Sequence, residues 1–396
     1  MTSAAGLRAV RESLELALLV NPDGDSEAID LAEAAVEHYS LNYSRHAPQL
    51  LFDEVRRTRL LLSGILTRRA GATMTDLQRQ VGWLSALLGN LAYHLGDGSG
   101  ARTHLGTATT YGTWAGDTRL VAWAWGARSM MARAAGQFDA AFTAAEHGVA
   151  AAPSGLVRAQ LSAWALLRSA AVLGRVDVAD EARSAALRDL DADPAGWAPG
   201  RFGFDAAEMT LHQAEADLAL GRAGAARALA EQSVAACSAG TPGWAAATLV
   251  LAQAEAPDFP TDAAQRAADV LDQVPPERLR STARTRLRQL DEALGGNDAT
   301  GVGELRERIR DLPPLAEGPG EPSVGVDLTV PGPAARAAAA QPRRSRVPIL
   351  DVYVLALHEL YSSPALMPAC SVGKPGRCLG RLPVCGLFAL FEQAMR

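Results

Sequence analysis

Residues able to do chemistry are few in this chain and stand far apart. Cys370, Cys378 and Cys385 with His358 offer four soft donors, the ligand set of a structural zinc ion. Their spacings of eight and seven residues lack the Cys-x2-Cys knuckle that organises such a site. His358-Glu359 is without the second histidine of a zincin helix, so no metal is expected. Gly96-Asp97-Gly98-Ser99-Gly100 has the glycine density of a phosphate loop, but it follows a helical pattern rather than a strand, which predicts a turn between helices. The seven histidines, His38, His46, His94, His104, His147, His212 and His358, are dispersed, and no serine or cysteine stands in a nucleophile-elbow sequence. The only lysine is Lys374, so a P-loop lysine or Schiff-base lysine has no candidate in the first 373 residues. The expectation is a protein that is not an enzyme and carries no cofactor.

What remains is binding chemistry, and it depends on the elements that would hold it. Trp125 to Pro153 reads W-x2-R-S-x2-A-x3-G-x-F-x2-A-x3-A-x2-G-x4-P. Trp125 and Ala132 mark the buried face of one helix, Gly136 ends it, and Phe138, Ala141 and Ala145 mark a second whose small side chains allow close approach. Pro153 stops the second helix. A pair of helices this short cannot bury its apolar faces alone, so related hairpins should stack beside it. They are present upstream as Leu88, Gly89, Ala92, Gly96, Ala101 and Ala108, and downstream as Leu166, Leu167, Ala170, Gly174, Ala179 and Ala186. A further unit surrounds Gly221. The turn glycines are 40, 38 and 47 residues apart, longer than the roughly 34 of a regular tetratricopeptide array, so the hairpins must carry extended helices or loops.

These residues resemble tetratricopeptide repeats, and their irregular spacing resembles the degenerate repeats of Xre-type helix-turn-helix regulators from high-GC bacteria. The resemblance covers about residues 25–312 and implies an all-α fold, a helical-hairpin repeat superhelix or α-solenoid, with a role in transcriptional control. In that family a DNA-binding domain precedes the repeats. Here the residues before Asn21-Pro22-Asp23-Gly24 hold one amphipathic helix with Leu7, Val10, Leu14 and Leu18 on its stripe, too short for a several-helix DNA-binding domain. The net charge of -6 also argues against a broad nucleic-acid footprint. Direct DNA binding by this chain is therefore not expected, although a truncated DNA-binding regulator stays open as a reading.

In a tetratricopeptide hairpin the first helix lines the concave surface. Counting from the turn glycines, the resemblance places Trp83, Asn90, Tyr93, Trp123, Met130, Arg133, Trp164, Arg168, Glu208, His212 and Glu215 there. Aromatics would anchor a ligand, arginines would hold carboxylate or phosphate, and carboxylates follow further on. The competing reading packs the tryptophans between neighbouring hairpins. Asn90 matches one position of the family's carboxylate clamp, but Ala86 stands where the companion lysine belongs, so that clamp is not expected. The functional expectation is a regulatory interaction module with a protein or peptide partner in its groove; a small-molecule or signalling-peptide sensor is the alternative. A homodimer is left open.

The rest of the chain divides as residues 1–24, an N-terminal packing helix; 25–312, the repeat domain; 313–346, a disordered Pro/Ala/Gly-rich linker; and 347–396, a tail with one apolar helix from Pro348 to Leu360. The tail reads either as a partner-binding segment or as an out-of-frame extension. Arg56, Arg57 and Arg59 on an early helix are expected to face solvent. So are Arg280, Arg284 and Arg288, on a helix whose stripe of Leu279, Ala283, Leu287, Leu290 and Leu294 reads as the cap of the stack. The charged residues among the first leucines exclude a signal-peptide core, no stretch has the apolar length of a membrane span, and the cysteines imply no disulfide framework. A cytoplasmic protein without membrane contact is the expectation.

Overall fold

The computed structural model describes residues 4–20, 26–66, 74–153, 155–193 and 200–315. The expected linker beyond residue 315, the tail, and the Cys370, Cys378, Cys385 and His358 set lie outside the described residues. The described residues belong to one compact unit, Met1–Pro322, built from helices and turns. They are α1 (Ala4–Val20), α2 (Ser26–Leu41), α3 (Pro48–Leu66), α4 (Met74–His94), α5 (Gly98–Trp114), α6 (Thr118–Ala134) and α7 (Phe138–Ala151). Next come α8 (Leu156–Leu161), a π-helical segment Ser162–Leu167 and α9 (Arg168–Val172), which follow one another without a break. The chain continues with α10 (Val176–Ala192), α11 (Ala206–Ala219), α12 (Ala223–Ala236), α13 (Pro242–Glu255), α14 (Pro260–Gln273), α15 (Ser281–Ala293) and α16 (Val302–Arg310). Helices adjacent in sequence pack as pairs, so the architecture is an all-helical, solenoid-like array. Among the described residues no helix is long and apolar enough to cross a membrane.

The four turn glycines repeat one local solution. Gly96, Gly136, Gly174 and Gly221 all have positive φ, between 67° and 88°, the left-handed conformation that costs a residue with a Cβ on the order of 1 kcal/mol. The residue after each glycine donates its N–H back to a carbonyl of the helix just ended: Asp97 to Ala92, Gln137 to Ala132, Arg175 to Ala170 and Arg222 to Asp217, all at 2.8–3.0 Å. The carbonyls orphaned at the helix end are thereby satisfied and the chain is sent back antiparallel. Asp97 then caps α5 by accepting from Gly100 N at 2.7 Å, so the glycine-rich stretch is the expected inter-helix turn.

Small residues set how closely each pair packs. Ala101, Ala108, Ala141, Ala145, Ala179 and Ala186 are fully buried, and a Cβ added to Gly89 would lie 2.7 Å from Leu105 Cγ. At the N-terminus α1 buries Leu7 and Leu14, and Arg11 Nε donates to Glu54 Oε2 of α3 at 2.8 Å. Pro48 begins α3 rather than only breaking the preceding helix; a first-turn proline gives up no helical hydrogen bond.

The C-terminal end departs from expectation. α15 is followed by α16, and instead of turning arginines outward as a cap it folds back on the start of the array. Arg280, only 4% exposed, donates from Nη2 to the carbonyl of Tyr43 at 2.6 Å across 237 residues of sequence. Its guanidinium lies 4.4 Å from the Tyr43 ring centre. Ser281 Oγ is 3.0 Å from His94 Nδ1 of α4, and Arg284 donates to the carbonyl of Pro276; of the three arginines, Arg288 is the exposed one. Arg59 likewise leaves solvent to reach Ser85 Oγ and His104 Nδ1, at 3.3 and 3.1 Å, because α4 and α5 pack over its face. Arg280→Ala should lower stability by about 2–3 kcal/mol in urea denaturation, since it removes charge-assisted bonds and strands a buried carbonyl. A loss below about 0.5 kcal/mol would show that closure of the array rests on other contacts.

Candidate functional site

Each hairpin from α4 onward presents its first helix to a common interior, and two different things fill it. The first is the chain's own loop. Between α10 and α11, the segment Gly200–Phe204 runs over the N-terminal part of the interior. Arg201 N donates to Ser40 O at 3.1 Å, Phe202 N to Ser40 Oγ at 3.4 Å, and Gly203 O accepts from Gln160 Nε2 at 2.7 Å. Phe202 packs edge-on against Trp83 and Trp123, with ring centres 4.4 and 4.9 Å away. The Arg201 guanidinium is 5.1 Å from the ring centres of both Trp123 and Trp164, and its Nε donates to Asn90 Oδ1 at 3.0 Å. Trp164 belongs to the π-helical segment, a kind of irregularity often found at functional positions.

Trp83, Asn90, Trp123 and Trp164 are therefore brought together, but under an internal segment and no more than 7% exposed. The apolar and aromatic surface that would anchor a partner is already covered. Physically, the 47-residue interval between Gly174 and Gly221 holds an insertion whose two buried phenylalanines, Phe202 and Phe204, need an apolar seat.

The second thing is empty space. A cavity of about 550 Å3 is lined by one or more residues from the first helix of each hairpin from α4 onward, among them Tyr93, Arg133, Arg168, Glu215, Val250 and Arg286. That volume falls within the usual range for small-molecule sites. Met130, Phe138, Val172 and Leu218 supply further apolar wall. A neighbouring cavity of about 670 Å3 shares Tyr93, Ala134 and Thr285 with it and adds Arg102 and Arg128.

Charge in the first cavity is unevenly matched. Glu215 Oε1 accepts from Arg168 Nη2 at 2.7 Å and also from Arg286 Nη2. Arg133 donates to Ser169 Oγ at 3.0 Å and lies 3.5 Å from the Trp164 carbonyl; among the described residues it has no ion pair with a carboxylate. Burial pushes Arg168 down to about 10 and, helped by repulsion from Arg168, Arg286 down to about 9. Arg133 is held well below its ordinary value by burial and by the same two neighbours. A guanidinium does not surrender its proton inside a protein, so these shifts express how poorly the site solvates three adjacent cations.

Two further expected residues, Glu208 and His212, share α11 with Glu215. His212 Nδ1 is 3.3 Å from Glu215 Oε2, and burial followed by repulsion from Arg168 and Arg133 keeps it well below 6.5, hence neutral. Glu208 lies near Arg201 and is pushed up to about 7 by burial. Of the eleven residues read from the sequence, Tyr93, Met130, Arg133, Arg168 and Glu215 line the cavity. Sequence reasoning missed Arg201 and Phe202, which enter from an insertion, and Arg286, which only the closure of the array turns inward.

The two kinds of shift oppose each other with pH. His38, His46, His94, His104 and His212 are all lowered, chiefly by burial. A folded-state value below the unfolded 6.5 gives stability that is present above about pH 6.5 and lost on acidification. Glu208, raised to about 7 from 4.5, contributes below about pH 4.5 and loses that contribution as pH rises through 7. Acidification from pH 8 to 5.5 should therefore lower the melting temperature. Glu208→Gln should steepen that fall and raise stability at pH 8 by on the order of 1–3 kcal/mol, allowing for partial exposure. Parallel melting curves for the two proteins across this range would refute the assignment.

No protein-family model matches the chain, and no curated protein matches it. Among the described residues no group of histidine, cysteine, aspartate or glutamate side chains could hold a metal ion.

Proposed function

We propose that the chain is a non-enzymatic regulatory binding module, a tetratricopeptide-like array that takes a small ligand in its interior and acts on a partner, with transcriptional control as the setting. The observation that carries the ligand-sensing reading over an open peptide groove is the cavity itself. Six first helices from α4 to α15 each contribute to its wall, and the aromatic surface beside it is taken by Gly200–Phe204. A ligand bridging six helices would have different contacts in a wider or tighter array, which is what shifting a conformational equilibrium requires.

The reading is tested by native mass spectrometry of the intact chain after incubation with the small-molecule fraction of a cell extract. Ala134 lines both cavities and is solvent-exposed, so Ala134→Trp fills space without disturbing the core. The wild-type chain should retain an adduct below about 1 kDa, the size class such a cavity encloses, and the folded Ala134→Trp variant should not. An adduct held equally by both proteins, or by neither, would remove the sensor reading. Capture of a protein partner through the Gly200–Phe204 region would then favour the interaction-module alternative, because Arg201 and Phe202 already occupy that surface as a peptide would.

A further inference from the structure

We propose that the ligand of the 550 Å3 cavity is a small amphiphile with a dianionic head group, a phosphate monoester or a geminal dicarboxylate, on an apolar body. This rests on the reading of the cavity as a ligand site and names the chemistry it selects.

The charged side chains lining the cavity are Arg133, Arg168, Arg286 and Glu215, three cations against one carboxylate, an excess of two. His212, next to Glu215, is neutral and adds nothing. A partly buried cation needs a counter-charge or full hydrogen bonding, and Glu215 is spent on two of the three, because Arg168 and Arg286 meet at the same oxygen. Side-chain exposures of 17% for Arg168, 12% for Arg286 and 9% for Glu215 leave little room for bulk water to screen the excess. A monoanion would leave one positive charge uncompensated and a dianion leaves none.

Donor geometry agrees with the count. Guanidinium groups offer planar forks that match phosphate and carboxylate oxygens two at a time. Arg133 uses single bonds to a hydroxyl and a backbone carbonyl, neither of which neutralises it. The same cavity is also lined by Met130, Phe138, Val172, Leu218 and Val250, so an inorganic ion alone would leave that apolar surface wet. A charged head on a short hydrocarbon body satisfies both kinds of lining. The chain as a whole carries a net charge of -6, so a general attraction for anions does not explain the cluster.

The test is calorimetric titration of the full chain at pH 7.5 with hexyl phosphate, hexylmalonate, hexyl sulfate, hexylammonium and hexanol. The two dianions should bind at least about ten-fold more tightly than hexyl sulfate, the increment expected of one further charge-assisted contact, and hexylammonium should not bind. Whichever dianion is tighter identifies the head as phosphoryl or dicarboxylate. Arg133→Gln should weaken both dianions by about ten- to a hundred-fold and erase their advantage over hexyl sulfate, without lowering the melting temperature; Arg133→Lys should keep the advantage. Equal binding of hexyl sulfate, hexanol and the dianions would overturn the head-group inference and leave the cavity a ligand site. Failure of all five compounds, together with loss of the cell-extract adduct, would overturn both.

Discussion

Gly200→Ala should detach the internal segment from its seat and cost about 2–4 kcal/mol, out of proportion to one methyl group. Gly200 has φ of +96°, and a Cβ there would lie 2.6 Å from Ser40 O, 2.7 Å from Ser40 C and 2.9 Å from Leu41 Cα. All three atoms are backbone at the end of α2, so no side-chain rotation relieves the contact. The strained conformation costs about 1–3 kcal/mol. Relief by detachment gives up the burial of Phe202 and Phe204, about 1.5–3 kcal/mol each, against the conformational freedom the segment regains. Gly136→Ala is the control: its φ of +72° lies at the edge of the left-handed region that alanine can enter, and nothing lies within 4 Å of the added Cβ, so it should cost only about 1 kcal/mol. Urea denaturation measures the difference. Tryptophan emission reports its cause, because Trp83, Trp123 and Trp164 lose their cover in the first variant and keep it in the second. Equal losses and unchanged emission would mean that the segment does not depend on this seat.

The contrast between these two glycines also shows what the sequence could and could not reveal. A left-handed turn is a local demand, so Gly96, Gly136, Gly174 and Gly221 announce themselves by type and spacing, and with them the paired helices. The 47-residue interval before Gly221 revealed that something was inserted. It could not reveal where the insertion goes, because Arg201 meets Asn90 across 111 residues of sequence, and helical periodicity carries no information about contacts between hairpins that distant.

The same limit governed the charged residues. The stripe of Leu279, Ala283, Leu287, Leu290 and Leu294 marks the buried face of α15, and all five are at most 5% exposed. Arg280 and Arg286 flank that stripe, and on a terminal helix both flanks would face water. In the folded chain one flank closes on Tyr43 and the other on Glu215, so both arginines lose solvent. Arg133 and Arg168 could be placed on the interior by counting from the turn glycines, but their shortage of carboxylate partners appears only when every first helix is brought round the same space.

Glu215→Gln should be among the most destabilising conservative changes in the helical array, at about 3–5 kcal/mol, because it removes a buried ion's counter-charge while leaving the ions. Shape and one acceptor oxygen survive the substitution, so packing cannot account for such a loss. The cavity would pass from an excess of two positive charges to three, with Arg168 and Arg286 facing each other directly. Arg133→Gln, by comparison, should be neutral or slightly stabilising, since it deletes a cation that has no carboxylate partner. The two variants thus separate electrostatics from packing within one site. Their response to added inorganic phosphate separates them further, since an anion that binds only the folded state raises its melting temperature by mass action. Phosphate should therefore rescue Glu215→Gln more than the wild type, and Arg133→Gln least of the three. If Glu215→Gln melted as low in phosphate as in a chloride buffer of equal ionic strength, its loss would have to be assigned to the hydrogen bonds with Arg168 and Arg286 alone, and the cavity would not be acting as a receptor for negative charge.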